Sequence, residues 1–430
     1  MDSRITKILN IIQVVAFVLF AVVIQFVYFN LKTPVLKWNP YLATFNLFLL
    51  ILSFPLCLLT IFGVLTTSLV NEKSRLQGSM LLANFITLRV LTNGDDPEKI
   101  RKNVFKNIFT CLNLGFDKFF VEVITSKPLN LPKNPFIREI ISPLNNFKVA
   151  FLKSLDLNCL NFYDDDDSWI LCLNENTLIT EDSLRDVLNF TLVNRSQIGI
   201  GAVRNNFDTI LNSLLNMESL YVNGKNLLVG KFSFLYNQLV DNEQVYLIYN
   251  SRVERDLIFD QMYQASMDDK DYFLFSAMKK GYLIDWIKSE MISDGTIVEN
   301  YKFKIFKNGK LLEFKIGYFL KTCGFCSINF LTLNCMLNCI FNDFRLLEDK
   351  FQIWNIFFAS VNIYVYLIGA FKSYKLSASK ILQFFTLIIL VFLYSPIFPF
   401  VNLFSKLKMS IRQNFLKSKK ILKIQNVQTL

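Results

Sequence analysis

Two short stretches of this sequence carry residue types that could do chemistry. Asn174-Glu175-Asn176 follows an apolar run, Trp169 to Leu173, and Asp268-Asp269-Lys270-Asp271 precedes another, Tyr272 to Met278. In an open parallel sheet ligands collect at the carboxyl ends of the strands, so a polar cluster directly after a strand sits where a site is expected. A divalent metal placed there would neutralise a diphosphate leaving group, and it needs hard oxygen ligands to stay. Two of the three side chains at 174–176 are amides, which offer a neutral carbonyl oxygen and no charge. The other reading of Asn174 and Asn176 is that they satisfy backbone groups of a turn. For Asp268 to Asp271 the two readings are an acidic site and an acidic helix cap. A third acidic run, Asp164 to Asp167, precedes its strand instead of following it and reads as a solvated loop at the wrong edge. The chain has no histidine, which excludes His-based triads and His-containing metal sites and leaves carboxylates, Lys, Tyr and Cys for any chemistry.

Stepping from these residues to the elements that must hold them, residues 79–310 alternate short apolar strands with amphipathic helices, the pattern of an α/β domain with a mostly parallel sheet. Strands are predicted at Ile86–Leu91, Phe119–Thr125, Phe136–Ile141, Trp169–Leu173 and Ile198–Val203. Gly94-Asp95-Asp96-Pro97 then reads as a turn, a helix cap and a proline at the first helical position, and the following helix should bury Ile100, Val104, Ile108 and Leu112. A second capped helix should begin at Thr180-Glu181-Asp182 and bury Leu184, Leu188 and Leu192.

The composition is that of a membrane protein. Of 430 residues 52% are hydrophobic, with 44 Phe, only 14 Gly and a mean hydropathy of +0.35. The N-terminal membrane region, 1–78, holds apolar runs at 8–29 and 42–70, the first long enough to cross a bilayer as a signal anchor and the second interrupted by Pro55. Residues 311–405 hold two or three more, at 316–341, 351–371 and 381–404. The formal net charge of +11 is concentrated in the tail, 406–430, in residues such as Lys406, Arg412 and Lys420. A basic tail beside an apolar segment implies the cytosol and contact with anionic lipid, and nothing in the chain resembles a nucleic-acid face. If tail and central domain share the cytosol, an even number of crossings separates them, so one of the three C-terminal segments lies in the interface or re-enters, with the Asn-bearing 316–341 as the first choice. Cys323, Cys326, Cys335 and Cys339 have spacings open to zinc or to plain helix packing. A channel or transporter would leave the organised central domain without a purpose.

Read together, Gly78 to Leu131 (GSMLLANFITLRVLTNGDDPEKIRKNVFKNIFTCLNLGFDKFFVEVITSKPLNL), Asn174 to Leu192 (NENTLITEDSLRDVLNFTL) and Val253 to Asp260 (VERDLIFD) resemble the egghead-type β-1,4-mannosyltransferases of invertebrates, members of glycosyltransferase family 2. The resemblance implies a nucleotide-sugar transferase (GT-A-like) domain, flanked by transmembrane helices, on the cytosolic face of the endoplasmic reticulum or Golgi. It implies transfer of mannose, with inversion, from GDP-mannose to the glucosyl group of a membrane glycolipid in glycosphingolipid synthesis. By the same resemblance Thr92, Ser126 and Lys153 contact the nucleotide sugar, with Ser126 replacing an aspartate and Leu155 an arginine. Asn174, Glu175 and Asn176 occupy the Asp-x-acid motif that holds Mn²⁺ or Mg²⁺, in a form expected to bind metal weakly or not at all. The base that takes the acceptor proton falls at Asp269 or Asp271, around Lys270, and a last motif near Lys304 to Gly309 keeps none of its defining residues. Four weakened elements make a catalytically inactive homologue, a pseudoenzyme that binds or scaffolds, the alternative to a hexosyltransferase.

Overall fold

The computed structural model describes residues 40–66, 74–132, 134–141, 168–193, 196–205, 217–229, 245–258, 270–294, 327–333 and 349–373, with four isolated positions between 15 and 22. Its α/β region is built on one eight-stranded sheet of order β3-β2-β1-β4-β7-β6-β8-β5. The strands are β1 (Phe85–Thr92), β2 (Phe119–Thr125), β3 (Ile137–Ile141), β4 (Ser168–Asn174), β5 (Thr177–Leu178), β6 (Ile198–Asn205), β7 (Val245–Asn250) and β8 (Ile284–Ser293). β1 pairs in parallel with β2 and β4, β2 with β3, and β6 with β8, whereas β7 runs antiparallel between β4 and β6. Since β4 and β6 both oppose β7, the strands β1 to β4, β6 and β8 point one way and share a carboxyl edge. The five strands expected from sequence are all present to within two residues, and β5, β7 and β8 are additions to them.

Helices cover both faces, as near-continuous apolar strands require. On one face lie α2 (Pro97–Asn113) and α3 (Glu181–Val193), over Leu88, Val90, Val121, Leu171 and Leu173. Asp96 caps α2 by accepting from Lys99 N at 3.1 Å, and Pro97 fills the position where a missing N–H costs nothing. The cap of α3 is reciprocal: Ser183 N donates to Thr180 Oγ1 and Thr180 N donates to Ser183 Oγ. Ile100, Val104 and Ile108 are buried as expected, but Leu112 is exposed and Cys111 takes the buried place. At 3.6 residues per turn a stripe stepping by four drifts off the contact line, and a step of three restores it. Leu184 and Leu188 are buried and Leu192 is half-buried for the same reason. The other face carries α5 (Ser251–Ile258) and α6 (Lys270–Lys279), over Ile170, Ile200, Leu247 and Tyr249.

A second body of helices holds α1 (Pro40–Thr66), α4 (Met217–Val229), a short helix at 327–333 and α7 (Asp349–Ser373) around Leu50, Val64, Leu220, Leu228, Leu331 and Val361. Within α1 and α7, Leu47–Thr66 and Ile353–Ala370 are long and apolar enough to cross a membrane, by length and composition. α1 continues through Pro55, whose interruption at 42–70 was expected. The apolar run at 381–404, the tail 406–430, all but four positions of the run at 8–29 and all but 327–333 of the run at 316–341 lie outside the described residues, as do the four cysteines from Cys323.

Candidate active site at the carboxyl edge

The register of the parallel strands decides which polar residues meet. β1 ends at Thr92 opposite Thr125, and Leu91 stands opposite Asn174, so the turns that follow β1, β2 and β4 converge at one place on the carboxyl edge. There Thr92 Oγ1 donates to the Glu175 carboxylate and accepts from Gly94 N at 2.9 Å. Ser126 Oγ donates to Asn93 O at 2.7 Å, tying the β2 turn to the β1 turn. Gly94 has φ of 72°, and a Cβ there would stand 2.9 Å from Thr125 Oγ1 and 3.1 Å from Lys127 Cβ. A side chain would therefore be strained by the backbone and would push the two turns apart. Lys127 completes the clasp through an exposed ion pair with Asp95, Nζ to Oδ1 2.6 Å.

Two asparagines that sequence reading passed over hold the 174–178 segment in place. Asn103 Nδ2 donates to Glu175 O at 3.1 Å, Asn107 Nδ2 donates to Thr177 O at 3.0 Å, and Ile179 N donates to Asn107 Oδ1 at 2.8 Å. Both sit on the buried side of α2, and an amide at i and i+4 among Ile100, Val104 and Ile108 was the available signal. Asp294 N donates to Asn176 O at 2.8 Å, and Lys106 Nζ reaches Asp294 Oδ2 at 3.1 Å, so the end of β8 closes the same turn.

Below this edge a row of buried charges crosses the sheet. Arg89 lies opposite both Glu122 and Cys172, and Glu122 lies opposite Arg138. Arg89 Nε donates to Glu122 Oε2 at 3.0 Å, Arg89 Nη1 donates to Glu254 Oε1 at 2.5 Å, and Arg138 pairs with the other Glu122 oxygen. Tyr249 Oη is 3.3 Å from Glu254 Oε1 and 3.4 Å from Cys172 Sγ. Arg89 and Glu122 are fully buried, so neither charge would be tolerable alone. Burial works against the guanidinium of Arg89, but Glu254, Tyr249 and Glu122 outweigh it and keep it charged. Burial raises the Glu254 carboxyl above its ordinary range, with Arg89 opposing. Burial likewise holds Tyr249 as a neutral phenol. A lone charge in the middle of FITLRVLT and of FFVEVIT was the sequence-level trace of this row. Glu254 opens α5, so the row fixes β1, three residues below Thr92, to the helix that leads towards Asp269.

Of the residues expected at a site, Thr92, Ser126, Asn174, Glu175 and Asn176 are thus brought to one edge. Asp271 lies in the first turn of α6, on the face carrying α5, and its side chain is not described. Lys153, Asp269 and the run Asp164 to Asp167 lie outside the described residues. The donor set does not fit a divalent ion. Glu175 is the single carboxylate among 174–176, it already accepts from Thr92, and among the described residues no three His, Cys, Asp or Glu side chains converge.

No protein-family model matches the chain. The β-1,4-mannosyltransferase egh of Drosophila melanogaster is 31% identical over 379 residues, covering 81% of each chain. The β-1,4-mannosyltransferase bre-3 of Caenorhabditis briggsae is 30% identical over 256 residues, 57% of this chain and 55% of that one, and its Caenorhabditis elegans counterpart is 29% identical over 253 residues with the same shares. Among solved structures, the mannosyltransferase PcManGT of Pyrobaculum calidifontis, in complex with GDP-Man and Mn²⁺, is similar at a TM-score of 0.34 and 11% identity over 82% of this chain and 98% of that one. S. aureus TarS gives a TM-score of 0.27 at 11% identity, over 73% and 81%. Scores this low carry no argument about what this chain binds.

Proposed function

The chain belongs to the β-1,4-mannosyltransferase family of glycosyltransferases, and on that premise we propose that it transfers mannose from GDP-mannose to the glucosyl group of a membrane glycolipid. The observation that carries the reading is the convergence of Thr92, Ser126, Asn174 and Glu175 on one carboxyl edge, with the hydroxyls at the ends of β1 and β2 and the carboxylate at the end of β4. In the proposed complex Thr92 and Ser126 hydrogen-bond the nucleoside and Lys153 adds charge near the phosphates. Inversion requires a base on the side of the sugar away from the leaving diphosphate, and Asp269 or Asp271, on the segment leading into and opening α6, is assigned to take the acceptor proton. A divalent metal, when bound, would supply charge to the departing diphosphate. The residues at 174–176 are a poor set for it. The domain at 79–310 is proposed to face the cytosol at the endoplasmic reticulum or Golgi. On that side the sequon Asn189-Phe190-Thr191 stays unmodified, and Asn189 holds the segment that enters the domain, donating Nδ2 to Arg75 O and accepting from Gln77 N, both at 2.8 Å.

One observation favours a second reading, a homologue that binds without turnover: Glu175 is engaged by Thr92 and flanked by two amides. Mannose transfer from labelled GDP-mannose to glucosylceramide, in membranes expressing the chain and its Asp269→Asn/Asp271→Asn double variant, separates the two. The transferase reading expects product that falls by about two to four orders of magnitude in the variant. Absence of product from folded protein that still binds GDP-mannose would leave the binding reading standing.

A further inference from the structure

The face of α1 turned away from its neighbours is apolar throughout. Phe45, Phe48, Ile51, Phe54, Phe62 and Leu65 are each between 44% and 63% exposed, and no charged residue interrupts the helix. From Phe45 to Leu65 this face runs about 30 Å at 1.5 Å per residue, the thickness of a bilayer's hydrocarbon core. Water would not tolerate such a face, whereas acyl chains would cover it at no cost.

Against the opposite side of α1 packs α4, which the chain makes between β6 and β7 of the sheet. Its described side chains from Leu220 to Leu228 are all buried. Three glycines, one on each helix, set how close the backbones come. A Cβ at Gly63 of α1 would lie 2.2 Å from Leu228 O, one at Gly224 of α4 would lie 2.0 Å from Val365 O, and one at Gly369 of α7 would lie 1.8 Å from Leu220 O. The Gly224 and Gly369 contacts are reciprocal, each glycine resting on the other helix's backbone. Backbone approach through small residues is the packing helices use where no hydrophobic force separates protein from solvent. The contact is too intimate for α4 to be a lid resting on the two apolar helices.

We propose that α4 is a membrane-embedded element of the transferase domain: it enters the bilayer beside α1 and α7 and fastens the carboxyl edge of the sheet, through β6, to the membrane. The expected cytosolic domain at 79–310 therefore dips into the membrane at 217–229. This rests on reading the chain as a membrane transferase, but it does not require that any sugar be transferred.

Two measurements on the full chain in proteoliposomes of phosphatidylcholine test it without an activity assay. A lipid-soluble photoactivated carbene reagent should label peptides bearing Phe48, Ile51 and Phe62 several-fold more than peptides bearing Phe109 and Leu112, which are exposed on the sheet domain. In a Tyr221→Cys/Tyr366→Cys variant, whose native rings lie 4.9 Å apart, a short membrane-permeant thiol cross-linker should give a linked peptide joining α4 to α7. Equal labelling of the two sets would overturn the lipid-facing assignment. Unlinked cysteines at 221 and 366 in protein whose α1 is labelled would place α4 elsewhere. Loss of mannose transfer with both results intact would count against the proposed activity alone.

Discussion

The sheet and the helical bundle both bury polar groups, and they bury different kinds. Under the carboxyl edge the sheet encloses full charges, Arg89, Glu122 and Glu254, each held by an opposite charge. The bundle encloses mainly hydroxyls and amides. Ser53, Thr60, Thr332 and Ser360 return their protons to the carbonyl four residues back in their own helices, and Asn362 Nδ2 donates to Asn329 Oδ1 at 3.1 Å and Thr332 Oγ1 at 2.9 Å. Among the described residues, Lys225 of α4 is the buried charge on the bundle side. The difference follows from surroundings: a sheet clothed by polar-faced helices can assemble counter-charges from three strands and a helix, whereas a helix beside lipid is best served by groups that satisfy themselves.

Removing one ionic partner should break the comparison hardest. Arg89→Met strands the buried Glu254 carboxylate and leaves Glu122 with Arg138 alone, and should cost about 3 to 5 kcal/mol, read as a fall in the unfolding midpoint of detergent-solubilised protein. Glu254→Gln keeps an acceptor for Arg89 and should cost less, but it should change the pH dependence. A carboxyl raised above its ordinary 4.5 in the fold destabilises once ionised, so the native state gains stability as pH falls from the folded value towards 4.5. Stability scans from pH 8 to pH 4.5 should show that gain in the parent and its loss in Glu254→Gln. On the bundle side Gly369→Leu forces α4 and α7 apart and should cost about 1 to 3 kcal/mol, seen as earlier thermal aggregation in detergent. Asn362→Leu should be mildest, about 1 kcal/mol, since Asn329 and Thr332 each lose one neutral N–H donor and the leucine adds apolar contact in the same place. An Asn362→Leu loss larger than that of Arg89→Met would reverse the lesson.

The half of the sheet made of β1 to β4 was readable because its strands are apolar runs closed by turn residues, and β1 and β4 lead on to capped helices. β7, VYLIYN, has the same apolar character and is bounded by Asp241-Asn242 and Asn250-Ser251, but it stands antiparallel among parallel neighbours, which its own residues do not announce. β8, IDWIKSEMIS, mixes exposed Asp285 and Lys288 with buried Ile287 and Met291, so its burial follows its partners β6 and β5 more than its own pattern. At the site, the polar turn after β4 announced its place, yet Asn103 and Asn107 were hidden because a helix stripe is scanned for apolar residues. α4 escaped notice for a related reason. Asn223, Lys225 and Asn226 make MESLYVNGKNLLV look like a surface helix, and its glycine gains meaning only beside Val365 and Gly369.

The reciprocal glycine contact also sets an order of events during synthesis. Gly224 leaves the ribosome roughly 145 residues before Gly369, a delay of about 7 to 30 s at ordinary translation rates of ~5–20 residues per second. Through that interval α1 is available to receive α4, but the α7 backbone that covers Gly224 does not yet exist. A nascent chain stalled before Asp349 would present α4 half-covered, and the strand pair that flanks it, β6 and β7, would close over a helix still waiting for α7. Among the described helices α7 is thus the closing timer, and chains cut short of it should be the ones quality-control proteases find first.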